Sequence, residues 1–227
     1  ICCYVYSDHM VFREEDWKTQ TVPRPLDRAT FDRMAACEHC EVFYMRPEWR
    51  DIQREPGKLH LPDYWHWVLE ACARHGKRWS FGIQPSMPQS IHAYSVPDFL
   101  IPKLNFMPYP NSDAWGPATK YMPAYENAYL DHWTEMLNLL GAQFDADPHL
   151  ESADIAGYGK WTEWHHWPQA GIECAEHAPI MRRLIDDHLA AFPRTPALMH
   201  LIPANPEHAF PGTQAKVEAM HYAIGRG

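Results

Sequence analysis

The sequence predicts an α/β protein of the (β/α)8 TIM-barrel type, truncated after about five strand–helix units. Short apolar runs alternate with longer amphipathic stretches along the 227 residues, and strict alternation implies parallel strands joined by right-handed crossovers. An open dinucleotide-binding sheet would carry a glycine-rich turn after its first strand, whereas this chain has Ser7, Asp8 and His9 there. The barrel is therefore favoured over the open sheet.

Apolar runs and amphipathic stretches give the elements in order. The predicted strands are 1–6, 42–45, 79–84, 153–158 and 197–202. The predicted helices are 27–40, 62–75, 124–144, 172–191 and 206–224. Asp27 is a suitable N-cap for the first helix and Gly76 a suitable C-cap for the second. Helical spacing of apolar side chains is clearest in the third helix.

The segment 86–123 is rich in proline and aromatic residues and shows no periodicity. A loop of this length inside a compact domain is usually functional, so we expect an active-site loop here. The whole chain, 1–227, is interpreted as a single incomplete barrel domain, because it ends where a sixth strand would follow. We therefore expect a fragment of a longer protein.

The charge balance argues against nucleic-acid and membrane partners. The chain has 29 acidic and 20 basic side chains and a net charge of −9, whereas phosphate backbones are bound by clustered Lys and Arg. No apolar run approaches the roughly 20 residues needed to cross a bilayer. We expect a soluble protein. The sequence does not predict its compartment, which would be extracellular or periplasmic if a signal segment precedes Ile1.

Aromatic residues favour a saccharide ligand. The 10 Trp residues exceed what a core needs, and flat indole faces suit sugar rings in a cleft. Arg46 and Trp49 follow the second strand and are interpreted as a carboxylate-fixing group and a stacking wall. Gln84, at the end of the third strand, could bind a sugar hydroxyl or simply satisfy the backbone, and Arg46 could instead lie in a buried ion pair. His200 and Asn205, near the fifth strand, are further candidates.

The densest set of functional side chains follows the fourth strand. Glu163 lies between Trp161 and Trp164, and a carboxyl group flanked by indoles is partly desolvated, which favours its protonated form. That form can protonate a leaving glycosidic oxygen, so Glu163 is the candidate general acid. The structural alternative is that Glu163 caps a helix or pairs with Lys160 or Arg46. Candidate saccharide-binding residues in the same segment are Tyr158, Trp161, Trp164 and His165.

Two groups of side chains have some features of a metal site, but neither is favoured. Cys37 and Cys40 have CxxC spacing, yet no second pair follows to complete a zinc set. The other group is close in sequence and comprises His165, His166, Cys174 and His177. Adjacent histidine side chains diverge and seldom bind one ion together. We predict no metal and no cofactor, and we interpret the six cysteines as mostly buried thiols.

Several motifs resemble those of clan A glycoside hydrolases. The motifs are RPEW at 46–49, EPGKL at 55–59, PDY at 62–64, GKR at 76–78, VPDFL at 96–100 and the segment 154–165. The chain is most similar to glycosidases related to the family 42 β-galactosidases. Two positions depart from the pattern, because Thr162 stands where the clan has Asn and Lys160 where relatives often carry Glu.

The resemblance implies a barrel that binds or hydrolyses a saccharide. It implies a retaining mechanism with Glu163 as acid/base and a nucleophile after the seventh strand, beyond Gly227. We expect this fragment alone to be inactive, since it lacks that nucleophile. The alternative from another class is a non-catalytic carbohydrate-binding or scaffolding barrel, and a metal-dependent hydrolase is the third hypothesis.

Overall fold

The computed structural model describes residues 2–6, 27–110, 117–164, 174–200 and 213–226. The strands in these ranges are β1 (Cys2–Tyr6), β2 (Val42–Arg46), β3 (Arg78–Phe81), β4 (Phe106–Pro110), β5 (Thr119–Pro123), β6 (Leu150–Asp154) and β7 (Ala197–Leu198). The helices are α1 (Arg28–Ala36), α2 (Trp49–Ile52), α3 (Asp63–His75), α4 (Asn127–Phe144), α5 (Cys174–Ala191) and α6 (Thr213–Arg226), with a 3-10 helix at Asp98–Lys103. None of these helices is long and apolar enough to span a membrane.

Five strands form one sheet in the order β1-β2-β3-β6-β7. All of its pairings are parallel. Each of these strands lies beside the next one along the chain, so the order never reverses as it does in a doubly wound sheet. This confirms the predicted barrel type, with five strand–helix units. The carboxyl ends of the five strands meet at one edge, which we call the C-terminal face.

The predicted helix caps are confirmed. Asp27 accepts a hydrogen bond from the backbone N–H of Thr30 at 2.7 Å and so caps α1. Gly76 ends α3 with a φ of 62°, a left-handed conformation that glycine adopts without steric cost. Helix α1 ends at Ala36, four residues earlier than predicted, because Cys37 is already extended.

Two predictions of local structure are wrong. The segment 86–123 is not irregular throughout, because β4 and β5 form an antiparallel hairpin within it. Prolines at the strand positions hide this hairpin from a search for alternation. The fourth barrel strand is β6 and not 153–158, because Gly157 has a φ of 95° and cannot continue an extended strand.

The core between sheet and helices is aromatic. Fully buried tryptophans dominate it, among them Trp49, Trp65, Trp79 and Trp133. The rings of Trp49 and Trp133 meet edge to face at 5.2 Å and 89°, and those of Trp65 and Trp79 at 5.8 Å and 68°. Such geometry adds to the area burial of each pair. The expectation that surplus tryptophan lines a cleft is therefore wrong for these four residues.

Candidate active site

Glu163 lies at the C-terminal face, in the loop after β6, and is held by Arg46 from the end of β2. Arg46 Nη1 donates to Glu163 Oε1 at 3.1 Å. The guanidinium side chain is 6% exposed and the glutamate side chain 29%, so the glutamate is the member of the pair that a ligand can reach. A guanidinium at this distance favours the ionised carboxylate.

Arg46 is fixed from several sides. In the amide orientation that satisfies both groups, the Gln84 side-chain oxygen accepts from Arg46 Nε at 2.7 Å and from Nη2 at 3.0 Å. Arg46 Nη2 also donates to the backbone carbonyl of Trp161. The guanidinium lies 5.8 Å from the centre of the Tyr44 ring, within cation–π range. Arg46 therefore ties β2, the end of β3 and the loop after β6 into one unit.

The loop after β6 has an unusual backbone. Trp161, Thr162 and Trp164 have φ values of 55°, 60° and 59°, in a region that residues with side chains rarely adopt. Each such residue costs of order 1–3 kcal/mol and persists only where its surroundings fix it. The backbone N–H of Trp161 donates to the Ser86 carbonyl at 3.1 Å, and Trp164 Nε1 donates to the Ile155 carbonyl at 2.7 Å. Strained backbone held in this way is typical of active sites.

The structure corrects several predicted ligand contacts. Trp49 is fully buried and donates its indole N–H to Gln53 at 2.8 Å, so the predicted stacking role is wrong. Tyr158 and Trp164 are buried as well, which leaves neither ring open to a sugar. Trp161 is half-buried and is the candidate stacking residue that remains.

The other residues predicted to contact a ligand are Gln84, His165 and Tyr158. Gln84 is buried and bonds to Arg46, so its side chain is not open to direct contact with a ligand. His165 lies outside the described residues. Tyr158 supports the loop from below, since its ring stacks on Tyr125 at 4.6 Å and its hydroxyl bonds to Nδ1 of His177. Of the predicted set, the structure brings Arg46 together with Glu163, Gln84 and the backbone of Trp161.

Glu48 is a titratable residue that the sequence analysis missed. It is fully buried after β2, and one carboxylate oxygen accepts from Ser90 Oγ at 2.9 Å. The other oxygen has no hydrogen-bond partner within the described part of the chain. Burial, and then the negative charge of Asp51, raises the pKa of Glu48 from 4.5 to about 7. An acid directly after a barrel strand, between Pro47 and Trp49, was the signal available in the sequence.

The hairpin contributes a buried cation to the same region. Lys120, on β5, is almost completely buried, and its Nζ donates to the backbone carbonyls of Ser90 and His92. Burial lowers the pKa of Lys120 from 10.5 to about 8, while the negative charge of Glu48 acts in the opposite direction. Lys120 thus fastens the hairpin to the segment that also binds Glu48.

A second polar network lies beside Arg46 and joins three strands. Tyr44, in β2, donates its hydroxyl to Oδ2 of Asp154 at the end of β6. His200, two residues after β7, places Nε2 3.0 Å from the same oxygen. Asp154 is buried, whereas the His200 side chain is 32% exposed. His200 was a candidate from sequence, but its two partners were not.

Metal ligands do not gather in the described ranges. Within them, no group of three or more His, Cys, Asp or Glu side chains is placed to hold a metal ion. The Cys37 thiol is exposed and the Cys40 thiol is buried. His177 bonds to the hydroxyl of Tyr158, and His165 and His166 lie outside the described residues.

Comparisons with known proteins identify the fold class. No protein-family model matches the sequence, and no curated protein matches it. An exo-β-1,4-mannosidase from an Opitutaceae bacterium aligns with a TM-score of 0.52 at 13% identity, over 88% of this chain and 31% of its own. Endo-glycoceramidase II from Rhodococcus, solved as a lactosyl-enzyme intermediate, aligns with a TM-score of 0.50 at 12% identity, over 76% and 44%.

At these identities the likeness defines the fold alone. The fold is that of the TIM-barrel glycoside hydrolases, in agreement with the clan A resemblance. The chain spans only 31% and 44% of the length of these two enzymes. The activity of the whole protein is therefore a matter for proposal.

Proposed function

We propose that this chain is the acid/base-bearing part of a retaining glycoside hydrolase, related to the family 42 β-galactosidases. The observation that carries the proposal is the pair of Glu163 and Arg46, set by two barrel strands at the C-terminal face. Active sites of TIM-barrel enzymes lie at this face. The half-exposed carboxylate, the buried guanidinium and the strained loop together form a fixed site for a reacting group.

In this proposal Glu163 moves a proton at the glycosidic oxygen. It protonates the leaving oxygen in the first step and deprotonates a water in the second. The nucleophile is a second carboxylate outside the described residues, roughly 5 to 5.5 Å from Glu163. A negative charge that close opposes the effect of Arg46 and favours a protonated Glu163 before the reaction. Arg46 then stabilises the carboxylate that remains after proton transfer.

Glu163→Gln tests the proposal in the full-length protein. Nitrophenyl β-galactoside and β-mannoside serve as substrates, and lactose and β-1,4-mannobiose as binding probes. We expect the variant to lose at least about a hundredfold in kcat, the usual contribution of acid/base catalysis, with dissociation constants close to those of the wild type. Glu151→Gln is the matched control, because Glu151 lies near the start of β6, at the end of the strand away from the candidate site, and pairs with Arg78. Unchanged turnover in Glu163→Gln overturns the assignment.

One observation favours a non-catalytic saccharide-binding barrel as the second candidate. Arg46 neutralises Glu163 within the protein itself. This function predicts saccharide binding that depends on Trp161, and no hydrolysis of either nitrophenyl glycoside. Wild-type protein that binds a disaccharide without cleaving any glycoside would favour it over the hydrolase.

A further inference from the structure

The network of Tyr44, Asp154 and His200 forms a floor beneath the pair of Arg46 and Glu163. Tyr44 and Arg46 are two residues apart on β2, and so point to the same side of the sheet. The Arg46 guanidinium lies over the Tyr44 ring at 5.8 Å. Tyr44 in turn reaches Asp154, and Asp154 reaches His200. One line of contacts therefore runs across the C-terminal face from Glu163 to His200.

The hydrogen bonds of Asp154 define the state of the His200 ring. A buried carboxylate is an acceptor only, so the close contact at 3.0 Å requires His200 Nε2 to carry the proton. In the neutral imidazole, Nδ1 is then an unprotonated acceptor. Nδ1 makes no hydrogen bond within the residues that the structure describes, and the side chain is 32% exposed. The ring is held at one end and offers an acceptor at the other.

The backbone beside the network leaves space for it. Gly82, just after β3, lies so close that a Cβ there would be 2.8 Å from the Tyr44 hydroxyl oxygen and 3.0 Å from Asp154 Oδ2. Real Cβ contacts this short force a neighbour to move. Strands β2 and β6 thus supply the two side chains beside the imidazole, and Gly82 after β3 leaves room for them.

We propose that His200 is a second saccharide-binding residue of the site, accepting a hydrogen bond at Nδ1 from a sugar hydroxyl, with Asp154 and Tyr44 as positioning residues. The inference rests on the proposed saccharide site at Glu163 and extends it across the face. A hydroxyl group fits because it can donate to the Nδ1 acceptor of the held ring without desolvating a second charge.

His200→Ala tests the inference, with dissociation constants for lactose and β-1,4-mannobiose measured by calorimetry. Loss of one hydrogen bond to a neutral group should weaken binding about tenfold. His221→Ala is the matched control, since His221 is an exposed histidine on α6, and it should bind as the wild type does. Partial recovery in His200→Gln, whose amide oxygen can also accept, would support a ligand contact over a purely structural effect.

A measurement without ligand completes the test. ¹⁵N NMR of the His200 ring should show protonated Nε2 and unprotonated Nδ1 in the wild type, and Tyr44→Phe should broaden or shift these signals. Protonated Nδ1, or a dissociation constant unchanged in His200→Ala, overturns the role of His200 while leaving Glu163 untouched. Wild-type protein that binds neither disaccharide overturns this inference together with the proposed function.

Discussion

The buried carboxyl group of Glu48 should make the folded chain less stable as the pH rises. Burial and the charge of Asp51 raise the pKa of Glu48 from 4.5 to about 7. Between these values the unfolded chain has already lost the proton that the folded chain keeps, so the free energy of unfolding falls as pH increases. The difference of about 2.5 in pKa corresponds to about 3 kcal/mol, complete by about pH 7.5.

Glu48→Gln removes this titration while preserving size and a hydrogen bond to Ser90. The free energy of unfolding is measured with urea for wild type and variant between pH 4.5 and 7.5. The free energy of unfolding of the variant should rise by about 3 kcal/mol relative to that of the wild type across this range, because only the wild type has a buried carboxyl group whose ionisation opposes folding. Subtracting the two curves cancels every other titrating group.

Glu38→Gln provides the control for this experiment. Glu38 is an exposed carboxylate, with 85% of its side chain accessible, so its curve should run parallel to that of the wild type. Parallel curves for Glu48→Gln as well would refute the reasoning, since Glu48 would then titrate alike in the folded and unfolded chains. Such a result would mean that the hairpin does not seal Glu48 from water.

Two further perturbations test the packing beneath the site. Burial lowers the pKa of His188 from 6.5 to about 4, so the unfolded chain binds a proton at this residue first as the pH falls. The free energy of unfolding should therefore drop by up to about 3 kcal/mol between pH 6.5 and 4. In urea unfolding of His188→Gln, the free energy of unfolding should fall less steeply over this acid range. Gly82→Ala should cost about 1–3 kcal/mol in the same assay, because its Cβ overlaps Tyr44 and Asp154. An alanine variant as stable as the wild type would contradict that overlap.

The sheet could be predicted because its signals are local. Strands β1 and β2 lie in short apolar runs, the longer helices lie in amphipathic stretches, and caps such as Asp27 and Gly76 act on backbone groups a few residues away. The hairpin was missed for the opposite reason. Its stability comes from distant partners, including the stacking of Tyr94 on Tyr121 at 4.6 Å and the contacts of Lys120 with residues some 30 positions earlier.

The candidate site could be predicted only in part. Arg46 and Glu163 meet because both follow barrel strands, and the parallel topology brings strand ends together. Which tryptophans face the ligand depends instead on how the loop after β6 turns. Three positive φ values turn Trp164 inward, and no pattern of residue types predicts such a turn. The state of Glu48 depends likewise on distant residues, because its hydrogen-bond partner Ser90 lies 42 positions later in the chain.

The ion pair of Arg46 with Glu163 affects both the stability of the fold and the proposed function. Removing the charge of Glu163 leaves a buried guanidinium with neutral partners, Gln84 and the Trp161 carbonyl, and an uncompensated buried charge is expensive. If Glu163 served only as a counter-ion, Glu163→Gln would weaken the fold by a few kcal/mol. If the loop stores strain for catalysis, part of that loss is offset as the loop relaxes. A variant that has lost turnover and kept its stability therefore fits a catalytic Glu163, whereas one that has lost both fits a structural ion pair.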